Sequence, residues 1–316
     1  MRLKPLIAII EEGLKNSNSL IVIPGVYRYL SKLQAKNTAE ALQLVNDPSD
    51  VDKISSYIHQ FVKSRLSTKK ATLVDLGVGP NLTPPKLHQK IISNLKTDVL
   101  IGIDASLNVL KILEQKEAFL ELTCRKKLMN KTFEELTKNP SLLFREIPSP
   151  HALFLSLGFT FSNFTKEFIA SFLTKIIRKN DCIALIAPFI QDLQDGLARI
   201  CGKYERDPKL LQKKKFFDCA SLVEIGFDLG DLDFQFQFDS TTFENRGIAI
   251  LRHISKNIPD RLIQSGLKVG QRFETILSRK FTLEMLQQEM EGLGFEVELH
   301  LVNNGKAIFA LCQKIH

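Results

Sequence analysis

Between residues 71 and 188 the chain carries four short apolar runs, each halted by a glycine, an aspartate or a proline. Ala71–Leu76 stops at Gly77, Val99–Ile103 at Asp104, Ala152–Leu157 at Gly158 and Cys182–Ala187 at Pro188. Runs that are apolar at consecutive positions read as strands buried on both faces. Between them, Pro85–Leu95, Leu107–Lys116 and Lys166–Ile177 carry apolar residues at helical spacing. Alternation of buried strand and helix predicts an α/β fold, a doubly wound and mostly parallel sheet.

The pattern differs on either side. Pro5–Lys15, Thr38–Val45 and Val51–Leu66 have the helical period, with Asn46–Asp50 as a loop that ends in a cap signal. After Phe189 the alternation stops. A polar helical stretch leads into Phe-rich strands at Leu232–Phe238, Gly247–His253 and Arg272–Leu277. A helix at Thr282–Leu293 then precedes strands Phe295–Val302 and Lys306–Gln313, joined at Asn303-Asn304-Gly305. Asn-Gly between two apolar runs is a strong hairpin signal. The expected organisation is therefore an N-terminal helical segment over 1–70 belonging to a smaller substrate domain, and a core over 71–191. An inserted substrate or lid domain follows over 192–275, and 276–316 completes the core sheet with an antiparallel hairpin.

Composition changes this picture little. Of 316 residues, 44% are hydrophobic and 25% charged, ordinary for a globular chain, and no apolar run is long enough to span a bilayer. The N-terminal apolar stretch is cut by Glu11 and Glu12 and reads as an amphipathic helix, so a cytoplasmic location is expected. Five scattered cysteines without a CxxC pair argue against disulfides and zinc, and six histidines lack ligand spacing, so no metal is expected. The net charge of +8 raises the question of nucleic acid. It is spread in small clusters at Lys63–Lys70, Arg125–Lys127 and Lys213–Lys215, which read as solvated faces, and nucleic-acid binding is the lesser reading.

The candidate chemistry lies at the strand ends. In Asp75-Leu76-Gly77-Val78-Gly79-Pro80-Asn81, two glycines allow a sharp turn and close backbone approach to a ligand. A dinucleotide fingerprint needs a third glycine where Leu82 stands, so a ligand without a pyrophosphate fits better, and S-adenosyl-L-methionine is such a ligand. Asp104 ends the next strand, where an acid can accept bonds from ribose hydroxyls, although it also precedes a helix capped by Ser106. Gly158 ends a third strand. Ligands of open α/β sheets sit beyond these carboxyl ends.

Five stretches resemble the histidine-specific Nα-methyltransferases of the ergothioneine pathway over roughly residues 70–315. They are Leu73–Gly79, Ile103–Ser106, Phe154–Phe164 (similar to the family's FLGxTxGNF element), Phe217–Leu222 and Thr275–Phe281 (similar to its TExSxKF). The resemblance implies a methyltransferase using S-adenosyl-L-methionine, with Gly77, Gly79, Asp104 and Gly158 lining the cofactor. Thr132 and Phe133 match an Asp-Phe pair that holds the adenine. The family's lysine after GxG falls on Thr83, with Lys86 as its stand-in. Asn163 matches the asparagine that holds the substrate's backbone end, and Tyr204 a substrate-binding tyrosine. An aromatic N-terminal element is poorly matched, with Tyr27 or Tyr29 as its remnant.

The resemblance departs most at Ile276. The family has a glutamate there that grips the substrate imidazole together with the serine at Ser278. Isoleucine accepts no hydrogen bond, and a buried imidazole nitrogen left unpaired costs about 1–3 kcal/mol. In the strand resembling RIEMxL, the equivalents of Glu and Met are Ile248 and Ala249. The implied activity is N-methylation of a small amino acid or amine other than histidine. The competing readings are an inactive scaffold relative, suggested by Ile276 and Thr132, and an enzyme acting on RNA or protein, suggested by the charge. No residue reads as a dedicated catalytic acid or base.

Overall fold

The structure is a computed structural model and describes residues 3–15, 20–22, 48–66, 70–82, 85–158, 160–192, 194–195, 219–239 and 248–316. The expected helix at Thr38–Val45, the polar stretch up to residue 218 and the positions Thr83, Tyr204, Tyr27 and Tyr29 lie outside the described residues. The described strands are β1 (Leu20–Val22), β2 (Thr72–Leu76), β3 (Val99–Asp104), β4 (Arg125–Asn130), β5 (Ala152–Ser156) and β6 (Cys182–Pro188). They continue with β7 (Leu232–Asp239), β8 (Ile248–Ser255), β9 (Arg272–Arg279), β10 (Phe295–Val302) and β11 (Ala307–Lys314).

The chain divides into two compact units, residues 1–34 with 191–279, and residues 35–190 with 280–316. The larger holds a seven-stranded sheet in the order β10-β11-β6-β5-β2-β3-β4. The pairs β2/β3, β2/β5, β3/β4 and β5/β6 are parallel, while β11 runs antiparallel to both β6 and β10. This is the doubly wound, mostly parallel sheet with an antiparallel terminal hairpin. Chain order reverses between β2 and β5, which opens a switch-point crevice at their carboxyl ends.

The central strands are buried along their whole length, and their alternate residues feed two cores. Leu73, Leu153 and Leu155 face the helices Pro48–Arg65 and Pro85–Leu95 through Ile54, Ile58, Leu87 and Ile91. Val74, Leu76 and Phe154 face Phe133, Ile169, Phe172 and Leu286 on the other side. Phe154 is fully buried at the centre, and truncating such a side chain to alanine costs about 3–5 kcal/mol. The Asn-Gly turn forms as expected: Asn303, Asn304 and Gly305 all have φ between 52° and 74°, and Lys306 N–H bonds back to the Asn303 carbonyl at 3.1 Å.

The basic cluster Arg125–Lys127, expected to be only a solvated face, lies on the edge strand β4. Its charge masked it: the strand alternates exposed and half-buried residues instead of forming an apolar run. Lysines on an edge discourage pairing with another chain. Here Lys126 caps the carbonyls of Leu120 and Leu122, and Lys127 pairs with Glu146.

The helix Pro48–Arg65, expected within the smaller domain, belongs to the larger unit. Its apolar stripe joins the core against Pro85–Leu95, and Asp50 accepts the backbone N–H of Asn303. The smaller unit has its own four-stranded sheet, β1-β9-β8-β7, with β1 parallel to β9 and the others antiparallel. Its core contains Ile10, Ile21, Cys219, Leu222, Phe227, Leu232 and Phe273. All of β9 through Arg279 belongs to this unit, so the boundary expected at residue 276 lies after Arg279. β1 had no sequence signal beyond three apolar residues. Among the described residues no helix is long and apolar enough to cross a membrane, no group of side chains could hold a metal, and Cys124, Cys182, Cys219 and Cys312 are buried and form no disulfide.

Candidate functional site

Three strand ends and the turns that follow them form the site. β2 runs into Gly77, whose N–H, like that of Val78, donates to the carbonyl of Ile103 at the end of β3, at 2.8 and 3.0 Å. The chain then reverses through left-handed backbone, with φ of +75° at Gly77 and +70° at Gly79. The two glycines are required for different reasons. A Cβ on Gly77 would lie 2.7 Å from Thr160 Oγ1 and 2.9 Å from its Cγ2, so the protein itself occupies that space. A Cβ on Gly79 would meet nothing closer than the Asn81 carbonyl at 3.7 Å, so only its backbone angle demands glycine and the space beside it is open.

Asp104 closes β3 one strand away. Its Oδ2 accepts the Gly79 N–H at 3.2 Å and its Oδ1 the Ser106 N–H at 2.8 Å. Ser106 in turn caps the helix Leu107–Leu113 by accepting from Val109 N–H, so the helix cap is Ser106 and not Asp104. Asn130, opposite Asp104 in β4, ties the turn down by donating to the carbonyls of Asp104 and Ala105. Burial pushes the Asp104 carboxyl up to about 6; the bonds from Ser106 and Gly79 oppose this, and the charge of Asp75 adds to it. A carboxylate offers about four lone-pair positions, and these two bonds leave acceptor capacity for a pair of ligand hydroxyls.

Gly158 follows β5 and is exposed, and a Cβ there would meet only Thr160 Oγ1 at 3.7 Å. Among the described residues nothing requires a glycine at that point. Thr160 thus stands over both Gly77 and Gly158. It opens the short turn Thr160–Asn163, which ends in the half-buried Asn163.

The other expected cofactor residues are placed differently. Thr132 is the N-cap of the helix Phe133–Lys138. Its hydroxyl accepts from Glu135 N–H at 3.1 Å, and Glu135 accepts the Thr132 N–H at 2.8 Å, a reciprocal capping box. The cap uses one of the hydroxyl's two acceptor lone pairs, which leaves the O–H donor and one lone pair. Phe133 is 8% exposed and stacks on Phe172, with ring centroids 4.5 Å apart, within an aromatic row that includes Phe164 and Phe168. Lys86 is exposed in the first turn of the helix Pro85–Leu95.

The expected substrate residues Ile276 and Ser278 are in β9 of the smaller unit, where backbone register pairs them with Leu251 and Ala249 of β8; Ile248 pairs with Arg279. A bulge between Leu251 and Arg252 interrupts the register beside them.

Three features escaped the sequence reading. Thr160 was quoted only as part of a motif, Asn130 carried no signal, and His88 gave no hint of its partner. His88 Nε2 lies 2.7 Å from Asp75 Oδ2, with both side chains buried.

The residues present suit S-adenosylmethionine: an open approach beside Gly79, a glycine at 158 with no internal cause, and a carboxylate with lone pairs to offer. Comparison with known proteins agrees on the family. The family model described as histidine-specific methyltransferase, S-adenosylmethionine-dependent, matches residues 52–314. No curated protein matches by sequence. Among solved structures, the chain is similar to an S-adenosylmethionine-dependent methyltransferase from Clostridium acetobutylicum, at 10% identity and TM-score 0.44, over 84% of this chain and 92% of that one. It is also similar to the 1,6-didemethyltoxoflavin-N1-methyltransferase of Burkholderia thailandensis, at 8% identity and TM-score 0.43, over 93% and 92%. A third is an amino pentose methyltransferase from Micromonospora echinaspora, at 12% identity and TM-score 0.41, over 87% and 96%.

Proposed function

The chain belongs to the histidine-specific, S-adenosylmethionine-dependent methyltransferase family, and within that family we propose an N-methyltransferase whose substrate is a small amino acid or amine other than histidine. The observation that carries the reading is isoleucine at position 276, two residues before Ser278 on β9. By resemblance, this is where an imidazole would need an acceptor. A site without that acceptor leaves a polar ring unpaired and loses its preference for it.

When bound, the cofactor supplies an electrophilic methyl group on a sulfonium. The protein's part is alignment and exclusion of water. The Gly77–Gly79 turn lets backbone approach the ligand, Asp104 accepts from the ribose hydroxyls, and Gly158 keeps the end of β5 clear. The resemblance assigns Asn163 to the carboxylate or amide end of an amino-acid substrate, and it assigns position 276 to the substrate's side chain. Tyr204 and Ser278 complete the substrate side, and Lys86, Thr132 and Phe133 the cofactor side. The amine nitrogen has to reach the methyl group with its lone pair free, and its proton leaves to solvent.

The test is a methylation assay with histidine beside tryptophan, phenylalanine and simple aromatic amines. Methylation of an aromatic amine or amino acid with histidine inert is the expected outcome. Efficient methylation of histidine by the unaltered protein overturns the proposal.

A further inference from the structure

Beneath the glycine turn is a buried ion-pairing contact that neither the fold nor the methyl transfer obviously needs. Asp75 is the fourth residue of β2, with backbone pairing to both β3 and β5, and it is 4% exposed. His88 is 0% exposed, on the helix that leaves the turn. Their 2.7 Å contact therefore joins the two ends of the segment carrying Gly77 and Gly79. A carboxylate only accepts, so the bond runs from His88 Nε2–H to Asp75 Oδ2; among the described residues, His88 Nδ1, also buried, has no hydrogen-bond partner, and the carboxylate under the turn is the polar contact that holds the ring.

We propose that His88 is a positioning residue for the cofactor: by holding Asp75 it fixes the Gly77–Gly79 turn in register with Asp104 and sets the charge that Asp104 faces. Without a donor, the buried Asp75 carboxylate is left uncompensated, and a shift of the strand end relieves it. That shift reaches Asp104, because it moves Gly79, whose N–H bonds Asp104 Oδ2. The groups acting on Asp104 are the backbone N–H groups of Gly79 and Ser106 and the carboxylate of Asp75, with His88 behind the last.

The inference rests on the cofactor assignment, and the experiment separates the two. Binding of S-adenosylhomocysteine is titrated calorimetrically from pH 5 to 8 for the unaltered protein and for His88→Leu, His88→Gln and Asp75→Asn. At pH 7.5, His88→Leu is expected to weaken binding about tenfold or more, the scale of one lost charge-assisted contact. His88→Gln restores a donor and is expected to stay within about threefold of the unaltered protein. Asp75→Asn keeps an acceptor for His88 but removes the charge that raises the Asp104 carboxyl, so the acid limb of binding moves to lower pH. A purely structural pair would lower the melting temperature and leave both affinity and limb in place. Affinity of His88→Leu within twofold of the unaltered protein overturns the proposal. If that variant does not fold, an unmoved limb in Asp75→Asn overturns it alone. Absence of binding by the unaltered protein at every pH overturns the cofactor assignment instead.

Discussion

The turn after β2 and the turn after β3 lie side by side and are bonded to each other, yet different forces hold them. The first is made of backbone: two left-handed glycines, two N–H bonds to Ile103, and Thr160 packed where a side chain would otherwise be. The second is made around one carboxylate that collects N–H groups from both turns while burial raises its proton affinity. The first is therefore governed by sterics and indifferent to pH, and the second by electrostatics and sensitive to it. A binding site assembled from both can be taken apart in two distinguishable ways.

The largest effect is expected from Gly77→Ala. Left-handed backbone costs an L-residue about 1–2 kcal/mol, and overlap with Thr160 adds about 1–3 kcal/mol. Chemical denaturation should show that loss, and calorimetry should show cofactor affinity reduced at least about a hundredfold, at every pH. Pairing it with Thr160→Ala should recover the overlap component only. A Gly77→Ala protein of unaltered stability and affinity would mean that the turn is not steric in origin.

Asp104→Ala comes next. Each charge-assisted bond to the ribose contributes about 1.5–3 kcal/mol, so the dissociation constant should rise roughly tenfold to a hundredfold per bond. An unchanged constant in the folded variant would remove Asp104 from the site.

The pH dependence is a smaller and sharper distinction. Asp104 is raised from 3.8 to about 6 in the free protein, so it ionises above that value. The ionised form accepts hydroxyls without giving up a lone pair to a proton. Cofactor affinity should therefore be full well above pH 6 and fall as pH drops through it, by about tenfold per unit at most. For folding the sign is opposite: a carboxyl whose folded value is raised contributes stability below its unfolded value and loses it as pH rises through about 6. Asp104→Asn should flatten both profiles, whereas substitutions in the glycine turn that loosen the Gly79 bond should keep both profiles and move their midpoints to higher pH.

The smallest effect belongs to Thr132→Ala. Loss of the capping box should cost about 1 kcal/mol in urea denaturation. If the hydroxyl serves mainly as a cap, affinity should change less than about threefold. A tenfold loss of affinity with unchanged stability would return Thr132 to the cofactor.

Legibility in the sequence follows the same division. Strands buried on both faces, such as β2, β5 and β6, announce themselves because most of their consecutive positions are apolar. The edge strand β4 does not, because only one side of it pairs and its lysines are there to face water. Glycine turns and strand-end acids are local, so Gly77, Gly79, Asp104 and Gly158 could be placed before any coordinates. Thr132 and Phe133 can be named from the sequence, yet the cap bond and the stack on Phe172 come from neighbours that a motif does not contain.

The sequence by itself determined the α/β class, the terminal hairpin, the family and the strand ends at which a cofactor can be met, since these depend on local pattern and on backbone angles that only certain residues adopt. The tertiary structure alone decided that Thr160 fills the space beside Gly77, that Asp75 is held by His88, and that the helix Pro48–Arg65 belongs with the larger unit. Each of these is a contact between residues distant in the chain or a choice between two faces of one stripe. Burial and packing select among such contacts only when the whole core is assembled.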